Sequence, residues 1–486
     1  MSSVLWFYAI ATCVKLLLIP SYASTDFEVH RHWLALTHSL PLSRWYTDET
    51  SQWTLDYPPF FAYFELALSY FAYLIDPQIT HLHRGLNYKA NSVIYFQRVS
   101  VIAADMILAY AVHRLTRNLE NSLKKSMLCV LIIWAPGLMI VDHIHFQYNG
   151  FLLGLLMLSI SYLQEGRDLL GGFYFAVLIC FKHLFAIAAP LFFVYLLRRY
   201  CWKHMMTRLP TLGAIVIAVF CAAYGPFIYH MQMQSVIRRL FPFGRGLCHA
   251  YWAPNIWVFY IMSDKAMEIV LKKLGFDMKT ASSSSFTGGL VGDSSSFAVL
   301  PQVTPVITLM AVLVALSPCL VKAWKNPRPH LIVRWISYAY TCGFLFGFHV
   351  HEKASLHFVI PLSIVAVHSF EDAQHYFILS IASSYSLFPL LHEAQEHPIK
   401  IILLLVHCCL MLQGFSKLFS NKKHYASVCK LYAIGFVAVE IWAQFLHPKF
   451  LGDRYPFLPL MVTSLYCAFG ITYSWFFQFM YIICIE

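Results

Sequence analysis

Residues 126–164 read SMLCVLIIWAPGLMIVDHIHFQYNGFLLGLLMLSISYLQ, two apolar runs joined by a short polar cluster. Each run, 126–142 and 149–164, approaches the roughly 20 residues that an α-helix needs to cross a bilayer. The whole chain repeats this pattern, since 59% of its 486 residues are hydrophobic and 12% are charged, with a mean hydropathy of +0.60. Soluble domains carry about 25% charged residues. The sequence therefore predicts an all-α polytopic membrane protein.

Further apolar runs extend the pattern to about 14 candidate transmembrane helices in one integral membrane domain, 1–486. The other candidate spans are 4–20, 94–113, 170–182, 184–197, 209–228, 300–321, 331–348, 354–370, 374–391, 398–417, 427–446 and 456–480. The 13 cysteines are scattered and form no CxxC pair. This usage predicts small packing residues rather than a disulfide framework or a metal site.

Basic residues divide the loops into two sets. Four Lys or Arg residues lie in each of the loops 114–126, 198–208, 322–334 and 417–430. The positive-inside rule makes this side cytosolic, and the net charge of +11 therefore does not indicate a nucleic-acid partner. The opposite side receives a large first loop, 21–93, and a second large loop, 229–299, with a Ser/Gly-rich linker at 282–296. This topology requires 59–76 to lie on the membrane surface as an interfacial helix.

The first large loop carries two acids in aromatic surroundings. Asp26 lies in STDFEVHRHW, and Asp56 lies in WTLDYPPF. Because each proline fixes φ and restrains the residue before it, Asp56 is expected on a stiff turn. A carboxylate at a water-poor interface can have a raised pKa and act as a base. The alternative is that both acids belong to helix ends, with Asp26 as an N-cap.

The polar cluster where the spans 126–142 and 149–164 meet contains Asp142, His143, His145 and Gln147. Ionisable groups at membrane depth are costly and usually functional. The two histidines are two positions apart, which does not place them on one face of a helix for metal binding. Lys182 adds a donor at the end of a nearby span. The alternative is a structural polar network that joins two helices.

Two more clusters fall on the same predicted side of the membrane. Arg239 and Arg245 lie in RLFPFGRGL, and His351 and Lys353 lie in FHVHEK. Arginine forks suit phosphate groups, and the neighbouring aromatic rings can stack on sugars. An aromatic membrane belt with snorkelling arginines, and a charged helix end, explain the same residues without a site.

These motifs together resemble the endoplasmic-reticulum glucosyltransferases that extend the lipid-linked oligosaccharide for N-glycosylation. The shared motifs are STDFEVHRHWLA, TLDYPPF, VDHIHFQYNG, RLFPFGRGL and FHVHEKA, and the similarity extends to SLYCAFGITYSWF near the last residue. GLCHAYWAPN and IPSYASTDFEVHRHW are most similar to the family member that adds the second glucose.

The resemblance implies a GT-C-type fold in the endoplasmic-reticulum membrane, with a lumenal active site. It implies that glucose moves from dolichyl phosphate glucose to the dolichyl-diphosphate oligosaccharide Glc1Man9GlcNAc2. The transfer would invert the sugar and form an α-1,3 linkage. Dolichyl phosphate is already a good leaving group, so we expect no metal and no other cofactor. The expected partners are the two dolichyl substrates and membrane lipids, not nucleic acid.

The resemblance also implies roles for individual residues. Asp56 would act as the catalytic base, and His351 would be the second catalytic residue. The expected substrate-binding residues are Asp26, Asp142, His143, His145, Gln147, Arg239, Arg245 and Lys353. Among these, Arg239, Arg245 and Lys353 would, together with His351, offset the charge on the leaving phosphate.

Three other functions remain open from the sequence. A sibling enzyme that adds the first glucose would share most of these motifs. A polytopic transporter of lipid-linked or small substrates would carry its charges inside spans near the bilayer midplane, whereas the clusters here lie at span ends. A non-catalytic binder of lipid-linked oligosaccharide would tolerate the replacement of Asp56 by Asn.

Overall fold

The computed structural model describes residues 2–241, 246–247, 253–276, 297–420, 427–452 and 454–484. Within these ranges the chain is helical and has no strand, which confirms the all-α prediction. The predicted linker at 282–296 and the candidate residue Arg245 lie outside the described residues.

The first of two compact units comprises Met1–Pro242, Ala323–Ile332 and Glu393–Pro398. Its α-helices are Ser2–Leu17, Thr25–Ser39, Pro59–Ile75, Asn91–Ala104, Met106–Arg117, Ser122–Ile133, Pro136–Leu138, Asn149–Gln164, Asp168–Phe181, Ala189–Leu196, Met205–Tyr229 and Met233–Leu240. A wider π-helical turn, Met139–Phe146, follows Pro136–Leu138. The longest connections between the α-helices of this unit, 40–58 and 76–90, both belong to the first large loop.

The centre of this unit is the Asn149–Gln164 helix, which is apolar over most of its length and buried on nearly every side. It packs against Asp168–Phe181 and against Met106–Arg117. A helix that is hydrophobic all round needs neighbours or lipid on every face, and here protein neighbours supply them. The polar segment that precedes it is thereby fixed at the centre of the unit.

The second unit comprises Phe243–Lys322, Val333–His392 and Ile399–Glu486. The remaining α-helices are Ile256–Lys273, Pro305–Lys325, Ile332–Phe346, Leu356–Ala366, Phe370–Ser386, His397–Leu418, Ser427–Ile441, His447–Leu451 and Leu458–Cys484. Within this unit, Phe370–Ser386 packs against both Leu458–Cys484 and Leu356–Ala366.

Seven helical stretches in the described part of the chain are long and apolar enough to cross a membrane. They are Asn91–Arg117, Ser122–Phe146, His183–Tyr229, Pro305–Lys325, Ala394–Leu418, Cys429–Leu451 and Leu458–Cys484. Shorter apolar helices lie at Val4–Leu17, Pro59–Ile75, Asn149–Gln164 and Asp168–Phe181. These stretches fit a polytopic membrane protein, whereas the number of about 14 spans stays a prediction.

The Tyr-Pro-Pro motif starts a helix, as its two prolines suggest. Pro58 is extended, with φ −60° and ψ 162°, and the Pro59–Ile75 helix begins at the next residue. Proline suits the first helical position because its missing N–H has no partner there in any case. Glu65 on this helix is fully buried and lies 2.7 Å from His30 Nδ1. The location of this helix at the membrane surface stays a prediction.

The Thr25–Ser39 helix positions Asp26. Its N-cap residue is Ser24, so the expectation that Asp26 could be the N-cap is wrong. The Ser24 hydroxyl donates to the carbonyl oxygen of His145, which ties the start of this helix to the π-helical turn. Asp26 lies in the first helical turn, where the partial positive charge of the helix end favours a carboxylate.

His32 is buried in the same helix without a hydrogen bond. Neither of its ring nitrogens has a hydrogen-bond partner in the described structure, and Asp48 Oδ2 lies 4.0 Å from its Nε2. Burial, and then the neighbouring charge of Arg31, lower the pKa of His32 to about 4. The native state therefore holds this histidine neutral well below its ordinary titration range.

We expect acidification from about pH 6.5 to about pH 4 to destabilise the fold through His32, because only the unfolded chain takes up this proton. The loss amounts to about 1.4 kcal/mol per pH unit across that interval, and this group adds no further loss at lower pH. Thermal unfolding in detergent at several pH values measures it. His32→Gln should flatten the pH dependence, whereas His83→Gln, at an exposed position, should leave it unchanged. Equal pH slopes for wild type and His32→Gln would contradict the expectation.

Candidate active site

The carboxylate of Asp26 receives two side chains from the polar cluster. Gln147 Nε2 donates to Asp26 Oδ2 at 2.6 Å, and His145 Nε2 lies 3.3 Å from the same oxygen. The other ring nitrogen of His145 is 2.9 Å from the Tyr22 hydroxyl. A proton on His145 Nε2 makes Nδ1 the acceptor for Tyr22, so the three groups can form one directed chain that ends on the carboxylate. The side chain of Asp26 keeps 23% of its surface exposed.

Asp142 holds the start of the next helix. Its two carboxylate oxygens accept from the Asn149 amide at 2.9 Å and from the Gly150 backbone N–H at 2.6 Å. The same Asn149 amide donates to Gln147 Oε1 at 2.8 Å, and Asn149 Oδ1 accepts from Lys182 Nζ at 3.2 Å. Asp142 therefore reaches Asp26 through the side chains of Asn149 and Gln147.

His143 belongs to a buried charged network. Its Nε2 lies 2.8 Å from Asp105 Oδ2, which also accepts from Lys15 Nζ at 2.6 Å. All three side chains are at most 4% exposed. A Cβ on Gly150 would collide with the Asp105 carboxylate, so the helix start can approach this acid only because residue 150 is glycine. His143 thus lies in the structural polar network that the sequence left open as an alternative to substrate binding.

Tyr57 marks the common neighbourhood of the three predicted acids. Burial, and then the charges of Asp56, Asp26 and Asp142, hold the pKa of Tyr57 well above its usual range. The Lys182 ammonium lies 5.3 Å from the centre of the Tyr57 ring. The half-buried Tyr57 is thus within electrostatic reach of acids from both the first loop and the polar cluster.

Arg239 forms hydrogen bonds with the first large loop. Its guanidinium donates to the Tyr46 carbonyl oxygen at 3.4 Å, to Thr54 Oγ1 at 3.2 Å and to Glu49 Oε1 at 3.1 Å. These three partners lie just before Asp56 in the chain. The arginine therefore stabilises the segment that leads to Asp56, a contact that its sequence motif did not predict.

In the second unit, two of the predicted clusters meet. The backbone N–H of His349 donates to the Leu247 carbonyl oxygen at 2.9 Å, and His349 Nδ1 lies 2.6 Å from the Gly246 carbonyl oxygen. The rings of His349 and His351 are 5.6 Å apart. Lys353 is half-buried beside them in sequence. The segment after Arg245 and the His-Glu-Lys motif thus form one local arrangement within this unit.

Several residues at the site were not predicted from the sequence. Arg98 donates to the carbonyl oxygens of Tyr22 at 2.9 Å and of His143 at 2.8 Å. It thereby links the segment before Asp26 to the polar cluster. Lys15 and Asp105 are charged residues within candidate spans, and that feature alone could have identified them. Tyr22 carries no such signal, because a tyrosine near a membrane interface is common.

Comparisons with known proteins agree with the motifs. The family model described as "ALG6, ALG8 glycosyltransferase family" matches residues 11–478. The chain is 65% identical to the dolichyl pyrophosphate Glc1Man9GlcNAc2 alpha-1,3-glucosyltransferase of Arabidopsis thaliana, over 98% of this chain and 96% of the relative. It is 44% identical to the enzyme of that name from Mus musculus, over 97% and 94%. Identity to the Gibberella zeae enzyme of that name is 41%, over 96% and 95%.

The Lys15–Asp105 pair generates a stability prediction. Asp105→Asn should destabilise the protein by about 3–5 kcal/mol, because it leaves a buried ammonium without its counter-charge. Lys15→Met should also destabilise, whereas the double variant should lose less than the sum of the two single losses. Thermal or denaturant unfolding in detergent measures all three.

Arg167→Gln is the matched control for this cycle. Arg167 pairs with Glu165 at 3.7 Å, but its side chain is 62% exposed, so its loss should change stability little. Strictly additive losses at Lys15 and Asp105, or losses no larger than that of Arg167→Gln, would contradict the buried pair.

Proposed function

The chain belongs to the ALG6, ALG8 glycosyltransferase family, and we propose that it glucosylates dolichyl-pyrophosphate-linked Glc1Man9GlcNAc2 in α-1,3 linkage. The observation that carries this function is the similarity over almost the whole length to enzymes named for that reaction. It is a membrane glycosyltransferase of N-glycan precursor assembly. The sibling activity, addition of the first glucose, is disfavoured because these relatives are named for an acceptor that already carries one glucose.

We propose dolichyl phosphate glucose as the donor and the lumenal face of the endoplasmic-reticulum membrane as the place of reaction. A polyprenyl acceptor keeps its diphosphate at the membrane surface, so a lipid donor in the same bilayer meets it without leaving the membrane. The polar cluster lies where the Ser122–Phe146 stretch ends and the Asn149–Gln164 helix begins. Such a position at helix ends suits chemistry between two lipid headgroups.

The reaction is a single displacement. A hydroxyl oxygen of the terminal glucose on the acceptor attacks C1 of the donor glucose, while the bond from C1 to the phosphate oxygen breaks. Dolichyl phosphate leaves with the bonding electrons, and the hydroxyl proton moves to a carboxylate base. One base suffices for inversion because no glycosyl-enzyme intermediate forms, in contrast to retaining glycosidases. No metal ion takes part in this proposed displacement.

Asp56 is the proposed base. It precedes the stiff Tyr-Pro-Pro turn, and Arg239 fastens the segment before it, so its position is well defined. Asp26 is the competing candidate within the same neighbourhood, because Gln147 and His145 orient its carboxylate. We propose that Asp26 binds a sugar hydroxyl and that His145 and Gln147 orient it.

The remaining candidate residues have two proposed roles: some position the polar cluster, and others bind the leaving phosphate. We propose that Asp142 and His143 position the polar cluster from within, since both are buried and hydrogen-bonded there. His351, Lys353 and Arg245 are proposed at the leaving phosphate, where fixed cations offset the growing negative charge. This last assignment rests on the family resemblance of the VHEK and GRG motifs.

Transport is the function from another class that the sequence alone left open. Lys15 and Asp105 are intramembrane charges of the kind that transporters use, but they pair with each other and with His143. Purified protein in detergent distinguishes the two functions, because an enzyme transfers glucose without a sealed membrane. Failure to transfer glucose from dolichyl phosphate glucose to the monoglucosylated acceptor would reject the proposed function.

Asp56→Asn should lower turnover by about 10²–10⁴-fold, the usual contribution of general base catalysis, while donor binding persists. Asp26→Asn should raise the acceptor KM and lower turnover less. The matched control is Asp76→Asn, since this acid of the same loop only holds Gln78, Tyr88 and Ser92. Initial rates with both lipid substrates measure all three variants. If Asp56→Asn keeps more than about a tenth of the activity and Asp26→Asn does not, the base is Asp26.

The lumenal position of the first loop is testable by cysteine labelling. In a background without accessible native cysteines, Lys89→Cys should react with an impermeant reagent only after the lumenal side of sealed microsomes is opened. Glu120→Cys lies in a loop predicted to be cytosolic and should react in sealed microsomes; both positions are exposed. Labelling of Lys89→Cys in sealed microsomes would make 59–76 a span and reverse the topology.

A further inference from the structure

Phe146 has an unusual backbone conformation at the centre of the site. Its φ is +88°, in the left-handed region that residues other than glycine rarely adopt, and its side chain is fully buried. It ends the π-helical turn Met139–Phe146 and stands between His145 and Gln147 in the chain. Local strain of this kind persists only where surrounding contacts enforce it.

The conformation has a direct geometric consequence. In a regular helix, His145 and Gln147 would point about 200° apart around the axis. Here both side chains reach the same atom, Asp26 Oδ2, at 3.3 Å and 2.6 Å. Because the left-handed backbone at Phe146 ends the helical turn, His145 and Gln147 do not follow one helix. Both side chains can therefore face the Asp26 carboxylate.

An aromatic cage encloses the ring of Phe146. Ring centres of Phe27, His30 and Tyr148 lie 5.0, 5.3 and 5.6 Å from it, each in an edge-to-face arrangement. His30 is itself fixed, because its Nδ1 is 2.7 Å from the buried carboxylate of Glu65. Such edge-to-face packing of buried rings is favourable and directional. The cage therefore fixes the position of the Phe146 ring and, through it, the backbone.

We propose that Phe146 is a positioning residue for the transfer reaction. Its caged ring enforces the left-handed backbone that delivers His145 and Gln147 to one oxygen of Asp26. This inference rests on the proposed function, in which Asp26 contacts the substrate. Phe146 would thus contribute to the reaction although its side chain has no polar group. The same role explains why the strained backbone persists.

A double-variant cycle with Gln147 tests the proposal. Phe146→Ala and Gln147→Ala should each raise the acceptor KM and also lower kcat, by less than Asp56→Asn does and by at most about 10²-fold, with little change in the donor KM. The double variant should be about as slow as the slower single variant, because Phe146 acts through Gln147 and its neighbour. If the two losses in kcat multiply, the proposal is overturned.

A second comparison separates the backbone from the ring. Glycine accepts the left-handed conformation without a steric cost, whereas alanine does not. Phe146→Gly should therefore retain more kcat than Phe146→Ala, although glycine fills less space. Equal rates, or a faster Phe146→Ala variant, would overturn the role of the strained backbone. If Phe146→Ala does not fold, Phe146→Leu in the same cycle with Gln147→Ala replaces it, since leucine retains apolar bulk without the ring.

Phe192→Ala is the matched control for packing. Phe192 is also buried and stacks on Phe175 at 3.6 Å between ring centres, in other helices of the same unit. It should lose stability comparably and show losses in kcat that multiply with those of Gln147→Ala. Wild-type turnover in the same assay tests the proposed function by itself. An active wild type with no coupling between positions 146 and 147 rejects this inference alone.

Discussion

The interior of a folded protein supplies little water to polar groups, and this constraint shapes the largely buried Asp142–Gly150 segment. Each buried polar side chain there needs a partner from the protein. Asp142 binds the start of the following helix, and His143 meets Asp105, which is neutralised by Lys15 from the first helix. A segment whose polar groups are paired in this way has few alternative conformations, because every alternative leaves charges or donors unsatisfied.

In the proposed reaction, this rigidity serves the carboxylates of Asp26 and Asp56. Electrostatic catalysis depends on groups that already point to where charge develops, so that nothing must reorganise during the reaction. Asp26 lies at a helix start that Ser24 ties to the π-helical turn, and His145 from that turn and Gln147 just after it orient its carboxylate. Asp56 follows a segment that Arg239 fastens. Both acids are thus held by contacts outside their own local segment, which is typical of preorganised sites.

The two compact units divide the motifs between them. The acids, Gln147 and His145 belong to the first unit, and the His-Glu-Lys motif belongs to the second, beside Gly246 and Leu247. Within the first unit, apolar helices bury Asp142 and His143, where interactions between charges are stronger than in water.

The sequence by itself determined the all-helical membrane class, the family, and the segments that carry polar residues. Hydropathy and motif residues are local properties of the chain, and they need no knowledge of packing. Only the tertiary structure decided which residues meet. Gln147 and Asp26 are 121 positions apart, and their contact depends on how the Thr25–Ser39 helix packs beside the π-helical turn. Packing likewise buried His143 against Asp105, bound Arg239 to the first loop and joined Ser24 to the carbonyl oxygen of His145. Residue types indicate the capacity to bind, but the partner is set by which surfaces the apolar helices bring together.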